Sequence, residues 1–132
     1  IPAFILMKKE FFFFPLGMIL RALRVIPVDR GKKDSHLVDQ MITEFKKRDS
    51  MYLCITPEGS RSKRKKWKKG FLVIAKAAGV PVYLGRIDYK GKYCEIGPLF
   101  NPTDDVDADL QYIMSTYKDA NPRHPEKFSW GE

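Results

Sequence analysis

The residues of this chain best suited to chemistry lie in two short segments, IPVDR (Ile26 to Arg30) and TPEGSRS (Thr56 to Ser62). Each sets charged side chains directly behind an apolar run. Arg30 and Arg61 both offer a planar guanidinium fork that can take two phosphate oxygens at once. Glu58 can orient an arginine or hold a hydroxyl, and Gly59, having no Cβ, lets backbone come close to a ligand. Read together, the segments point to two cations at adjacent strand ends closing on a small phosphate ester. The competing reading is a set of surface ion pairs between turns, which contribute little.

From Arg61 to Lys69 the chain then carries seven cations and no acid, which accounts for nearly all of its net charge of +8. The basic character is therefore a local patch on an otherwise near-neutral protein. Such a run can be a solvated loop, a nucleic-acid contact, or a membrane contact with Lys65, Lys66, Lys68 and Lys69 against anionic lipid and Trp67 at headgroup level. No RNA- or DNA-binding module surrounds it, so a membrane surface is the expected partner and nucleic acid is not.

With 132 residues, 44% of them hydrophobic and 30% charged, the chain fits one globular domain, read as residues 1–128 with 129–132 as a tail. Cys54 and Cys94 stand in apolar runs without metal or Cys-x-x-Cys spacing, and are expected to be buried, reduced thiols. No metal or cofactor is expected. The longest apolar run, FFFFPLGMIL from Phe11 to Leu20, is interrupted by Pro15 and Gly17 and is too short to cross a bilayer. Its phenylalanines, Phe11 to Phe14, can insert into a membrane or pack inside, and core is the expectation for most of them.

The elements that must position these residues follow from periodicity. Leu37, Val38, Met41, Ile42 and Phe45 recur at helical spacing behind Asp34 or Ser35 as N-cap, as do Val106, Leu110, Ile113, Met114 and Tyr117 behind Asp104. A third helix in GFLVIAKAAG closes on Gly79. Strands are expected at Val25 to Asp29, Met51 to Thr56, Val80 to Tyr89 and Lys92 to Gly97, the last two joined across Lys90-Gly91. The alternation predicts an α/β fold, a mixed, largely parallel central sheet flanked by helices, with an antiparallel hairpin. Ligands of such sheets bind beyond the carboxyl ends of the strands.

Taken in order, IPVDR, PEGSRS and VPV resemble the motif series of the glycerolipid acyltransferases, the lysophosphatidic acid acyltransferases and their glycerol-3-phosphate relatives. Asp29 and Arg30 match the end of the family's second block. Pro57 to Ser62 match the third with Ser60 in place of threonine, Val80 to Val82 match the fourth, and Lys8 falls where a family lysine precedes the second. The resemblance implies acyl transfer in phospholipid biosynthesis, from acyl-CoA or an acyl carrier protein to a hydroxyl of lysophosphatidic acid, another lysophospholipid or glycerol phosphate, at the cytoplasmic face of a membrane with peripheral or monotopic attachment. It assigns Arg30, Glu58, Gly59, Ser60, Arg61, Lys8, Asp29 and Pro81 to substrate binding, with Pro81 shaping the floor. Its first motif, His-x4-Asp, supplies the base, and neither His36 nor His124 has an Asp five residues on. His36 reads as a helix-start residue. That motif is expected directly upstream of Ile1, which makes the chain inactive alone; a non-enzymatic basic-patch binder is the alternative.

Overall fold

The computed structural model describes residues 3–29, 34–58 and 66–128. Its contacts divide the chain into two compact units, Ile1–Ile55 and Thr56–Glu132. In the first, the order is β1 (Ala3–Lys8), a 3-10 turn (Lys9–Phe11), α1 (Leu16–Ala22), β2 (Val25–Val28), α2 (Asp34–Lys46) and β3 (Tyr52–Leu53). The second holds α3 (Gly70–Ala78), β4 (Val82–Asp88), β5 (Tyr93–Phe100), α4 (Val106–Ser115) and a 3-10 turn at Pro125–Lys127. This is a mixed α/β fold with a parallel sheet and a separate antiparallel pair, as the periodicity predicts.

The parallel sheet has the order β2-β1-β3. Its central strand, β1, was not among the strands expected from the sequence, because AFILMK is a short apolar run without alternation and lacks a turn signal before it. Ile5 to Lys8 pair with Val25 to Val28, and Ala3 and Phe4 pair with Tyr52 and Leu53. β2 and β3 are therefore not adjacent, as the two-cation reading assumed. β1 lies between them, and their axes stand about 10 Å apart, two strand spacings. Pro27 has no N–H to donate and sits on the edge strand β2, where its carbonyl accepts from Gln40 Nε2 at 3.0 Å, tying α2 to the sheet. Leu20, Val25, Ile26, Val28 and Met41 are the buried apolar residues of this unit.

α1 was also unexpected, since Pro15 and Gly17 interrupt its pattern. Pro15 stands at its N-cap, where a missing N–H costs nothing, and Gly17 and Leu20 are its buried residues. A Cβ on Gly17 would lie 2.9 Å from both the backbone carbon and the carbonyl oxygen of Phe12. Gly17→Ala gains about 0.5–1 kcal/mol of helix propensity but forces backbone apart at about 1–3 kcal/mol. The expected net result is a lower urea midpoint; an unchanged or raised midpoint would contradict the packing described.

In the second unit, Trp67, Leu72, Leu84, Leu110, Ile113 and Met114 form the core, with Phe71, Val82, Phe100, Val106, Tyr117 and Phe128 packed against it. α3 ends as expected on Gly79, at φ 67°. α4 is capped by Asp105, whose carboxylate accepts from Ala108 N–H at 3.0 Å, and not by Asp104. Asp104 instead pairs with Lys76 of α3, which holds its carboxyl below the usual range. The hairpin turn spans Tyr89 to Lys92, longer than the Lys90-Gly91 signal suggests, and the left-handed residue is Lys92 at φ 56°. Asp88 closes it: the amide of Asn121 and the N–H of Gly91 donate to its carboxylate at 2.7 and 2.6 Å and lower its pKa. A register shift between Tyr83 and Gly85 accommodates Pro98 in β5.

Three expectations about burial are corrected. Cys54 and Cys94 are free but exposed. Cys54 lies past the end of the two-residue strand β3, and Cys94 lies on a strand whose residues from Tyr93 to Ile96 are all exposed. Phe11, Phe13 and Phe14 are exposed as well: they lie in the 3-10 turn and the connection before α1, outside the elements that pack the sheet. Trp67 is buried, at 6% exposure.

Candidate active site

The carboxyl ends of the parallel strands β1 and β2 bring Lys8, Lys9 and Asp29 to one edge, since Lys8 is paired with Val28. Lys8 is exposed, as expected of a residue on the working edge. Its neighbour Lys9 makes the defined contact there: Nζ donates to Asp29 Oδ2 at 2.7 Å, and this hydrogen bond raises the lysine's pKa. Asp29 is the less exposed partner, so the pair fixes the residue from which the chain passes to Arg30. Lys9 was missed in the sequence, where two successive lysines after a strand gave no reason to prefer the second.

Thr56–Glu132 carries the second segment. Pro57 and Glu58 form a turn, and both are half-buried. Burial raises the pKa of the Glu58 carboxyl. The N–H of Lys68 donates to the carbonyl of Pro57 at 2.8 Å, so the chain that leaves at Pro57 is brought back to it at Lys68. Trp67, one residue before this bond, anchors it: its ring lies 5.6 Å from Tyr117 and 6.3 Å edge-on from Phe128. Arg30, Gly59, Ser60, Arg61 and Lys65 lie outside the described residues. The basic segment is thus closed at its base by a backbone hydrogen bond and a buried indole.

This geometry changes the reading of the basic run. Trp67, expected at headgroup level, belongs to the core and is not presented to solvent. Lys66, Lys68 and Lys69 are exposed, and Lys69 is ion-paired with Asp107 at the start of α4. Pro81 is exposed and immediately precedes β4. An open depression of about 260 Å³ lies beside Arg86, but that guanidinium is already engaged by Glu95 at 2.8 Å and Asp119 at 3.1 Å. It is a structural ion-pair network with no fork left for a substrate.

Among known families, the model of the Acyltransferase family matches residues 2–84. The chain belongs to that family. The match begins at β1, contains both cation-bearing segments and the Val80 to Val82 motif, and stops in β4. No curated protein and no solved structure matches this acyltransferase. Its activity class is acyl transfer. Among the described residues no group of three or more His, Cys, Asp or Glu could hold a metal ion.

Proposed function

We propose that this acyltransferase moves an acyl group from acyl-CoA or an acyl carrier protein to a hydroxyl of a phosphate-bearing lipid acceptor, lysophosphatidic acid first, or another lysophospholipid or glycerol phosphate. The observation that carries the reading is the Pro-Glu-Gly-Ser-Arg-Ser segment of a family member, held at its base by the Pro57–Lys68 hydrogen bond. Arg61 and Arg30 bind the acceptor's phosphate through paired charge-assisted hydrogen bonds. Asp29, steadied by Lys9, orients the segment that carries Arg30, and Lys8 adds positive charge at the same edge. Glu58 orients an arginine or the acceptor's glycerol, Gly59 and Ser60 allow close backbone approach, and Pro81 sets the direction in which β4 begins. The donor is a substrate and no cofactor is needed, because a thioester is already activated toward attack by an alcohol.

The chemistry asks for a membrane-side location, the cytoplasmic face, since the acceptor resides in a leaflet. Lys65, Lys66 and Lys68 supply cations toward anionic lipid, each contributing about 1 kcal/mol near the surface. Titration of the 132-residue chain with glycerol 3-phosphate, with glycerol as the comparison, tests the phosphate assignment. Arg61→Ala is expected to weaken glycerol 3-phosphate binding about 10–100-fold, the worth of one charge-assisted pair. Arg61→Lys should fall between, since a lysine offers a point charge in place of a fork. Equal binding of glycerol and glycerol 3-phosphate, or an unaffected Arg61→Ala variant, would overturn the assignment.

A further inference from the structure

The segment between Lys8 and Arg24 exposes more large apolar side chains than its length requires. Phe11, Phe13, Phe14, Met18, Ile19 and Leu23 are each at least half exposed, Phe14 reaching 83%. They share a side. Gly17 and Leu20 turn α1 inward, so Met18 and Ala22, and Ile19 and Leu23, which are i,i+4 pairs, face out together. Phe13 is joined to the helix by the bond from Gly17 N–H to its carbonyl at 2.7 Å. So many exposed large apolar side chains within thirteen residues mark an interaction site. Its occupant is indicated by the flanks: exposed Lys8 precedes it, exposed Arg21 stands at its far end, Lys9, held by Asp29, and Arg24 add to the positive charge there, and Glu10 is the one acid in between.

We infer that Phe11 to Leu23 lies in the interface of an anionic lipid leaflet, its rings and aliphatic side chains among the acyl chains and its flanking cations at the phosphates. α1 has seven residues, and no described helix is long and apolar enough to cross a membrane, so the segment lies along the leaflet and does not span it. This deepens the membrane reading proposed above and moves its apolar contact from Trp67, which is buried, to the segment from Phe11 to Leu23; the lysines after Arg61 then act as a separate, purely electrostatic contact.

The test is sedimentation of the 132-residue chain with phosphatidylcholine vesicles, with and without phosphatidylglycerol. The double variant Phe13→Ser/Phe14→Ser, which alters only exposed rings and is checked for unchanged circular dichroism, should lose at least about tenfold in partitioning to the anionic vesicles. Phe14→Trp should show a blue-shifted emission component on binding, quenched by lipids brominated on their acyl chains. Binding that is unaltered in the double variant overturns the inference, as does equal binding to vesicles lacking phosphatidylglycerol. So does a chain that elutes as a dimer and becomes monomeric in the double variant, because the surface would then meet a second copy. Arg61→Ala distinguishes this inference from the phosphate assignment: it weakens glycerol 3-phosphate binding while the quenching by brominated acyl chains persists.

Discussion

Neither histidine of the chain is expected to be the general base of acyl transfer: His36→Ala and His124→Ala should each leave the rate unchanged, against the loss of about 10²–10⁴-fold that removing a positioned base causes. An acceptor hydroxyl must lose its proton as it attacks the thioester, and near neutral pH an imidazole steadied by a carboxylate is the suitable acceptor. His36 is exposed on α2, three residues before Asp39 on the same helix. His124 does face a carboxylate, with Nδ1 3.3 Å from Glu126, but the pair is exposed and lies outside the residues matched by the family. Steady-state assays with an acyl-CoA and lysophosphatidic acid on the two variants decide the matter. A loss of that size in either variant would show that its histidine supplies the base.

The largest single effect on stability is expected at Trp67. Trp67→Ala removes the indole that packs with Tyr117 and Phe128 over Leu72, Leu84 and Ile113, and should destabilise the protein by about 3–5 kcal/mol. Trp67→Phe keeps part of the ring packing and should lose less, since an aromatic pair contributes about 0.5–1.5 kcal/mol beyond its buried area. Neighbouring Lys66→Gln, on an exposed side chain, is expected to stay within about 0.5 kcal/mol. Because Trp67 adjoins the Lys68 N–H bonded to Pro57, Trp67→Phe should also weaken glycerol 3-phosphate binding modestly while the chain remains folded. Urea denaturation of the three variants measures the order. A Trp67→Ala loss no greater than that of Lys66→Gln would return the indole to the surface, where the sequence alone placed it.

That reversal illustrates where the sequence stops. The family was legible in the segments that carry Arg30, Glu58, Gly59 and Arg61, because motif identity depends on residue type and on spacing along the chain, and the family match over residues 2–84 contains those segments. The helices around Met41 and Ile113, and the Gly79 terminus at positive φ, were legible because a 3.6-residue period and a missing Cβ are local properties. Burial was not. Trp67 sits in a run of lysines, yet its core position depends on Tyr117 and Phe128, fifty and more residues away. Phe11, Phe13 and Phe14 are as apolar as any core residue, but they fall in the turn and connection ahead of α1, whose inward side is taken by Gly17 and Leu20. Lys9 became distinct from Lys8 only when parallel pairing brought the end of β1 beside Asp29, because side chains twenty residues apart acquire a distance only through the sheet.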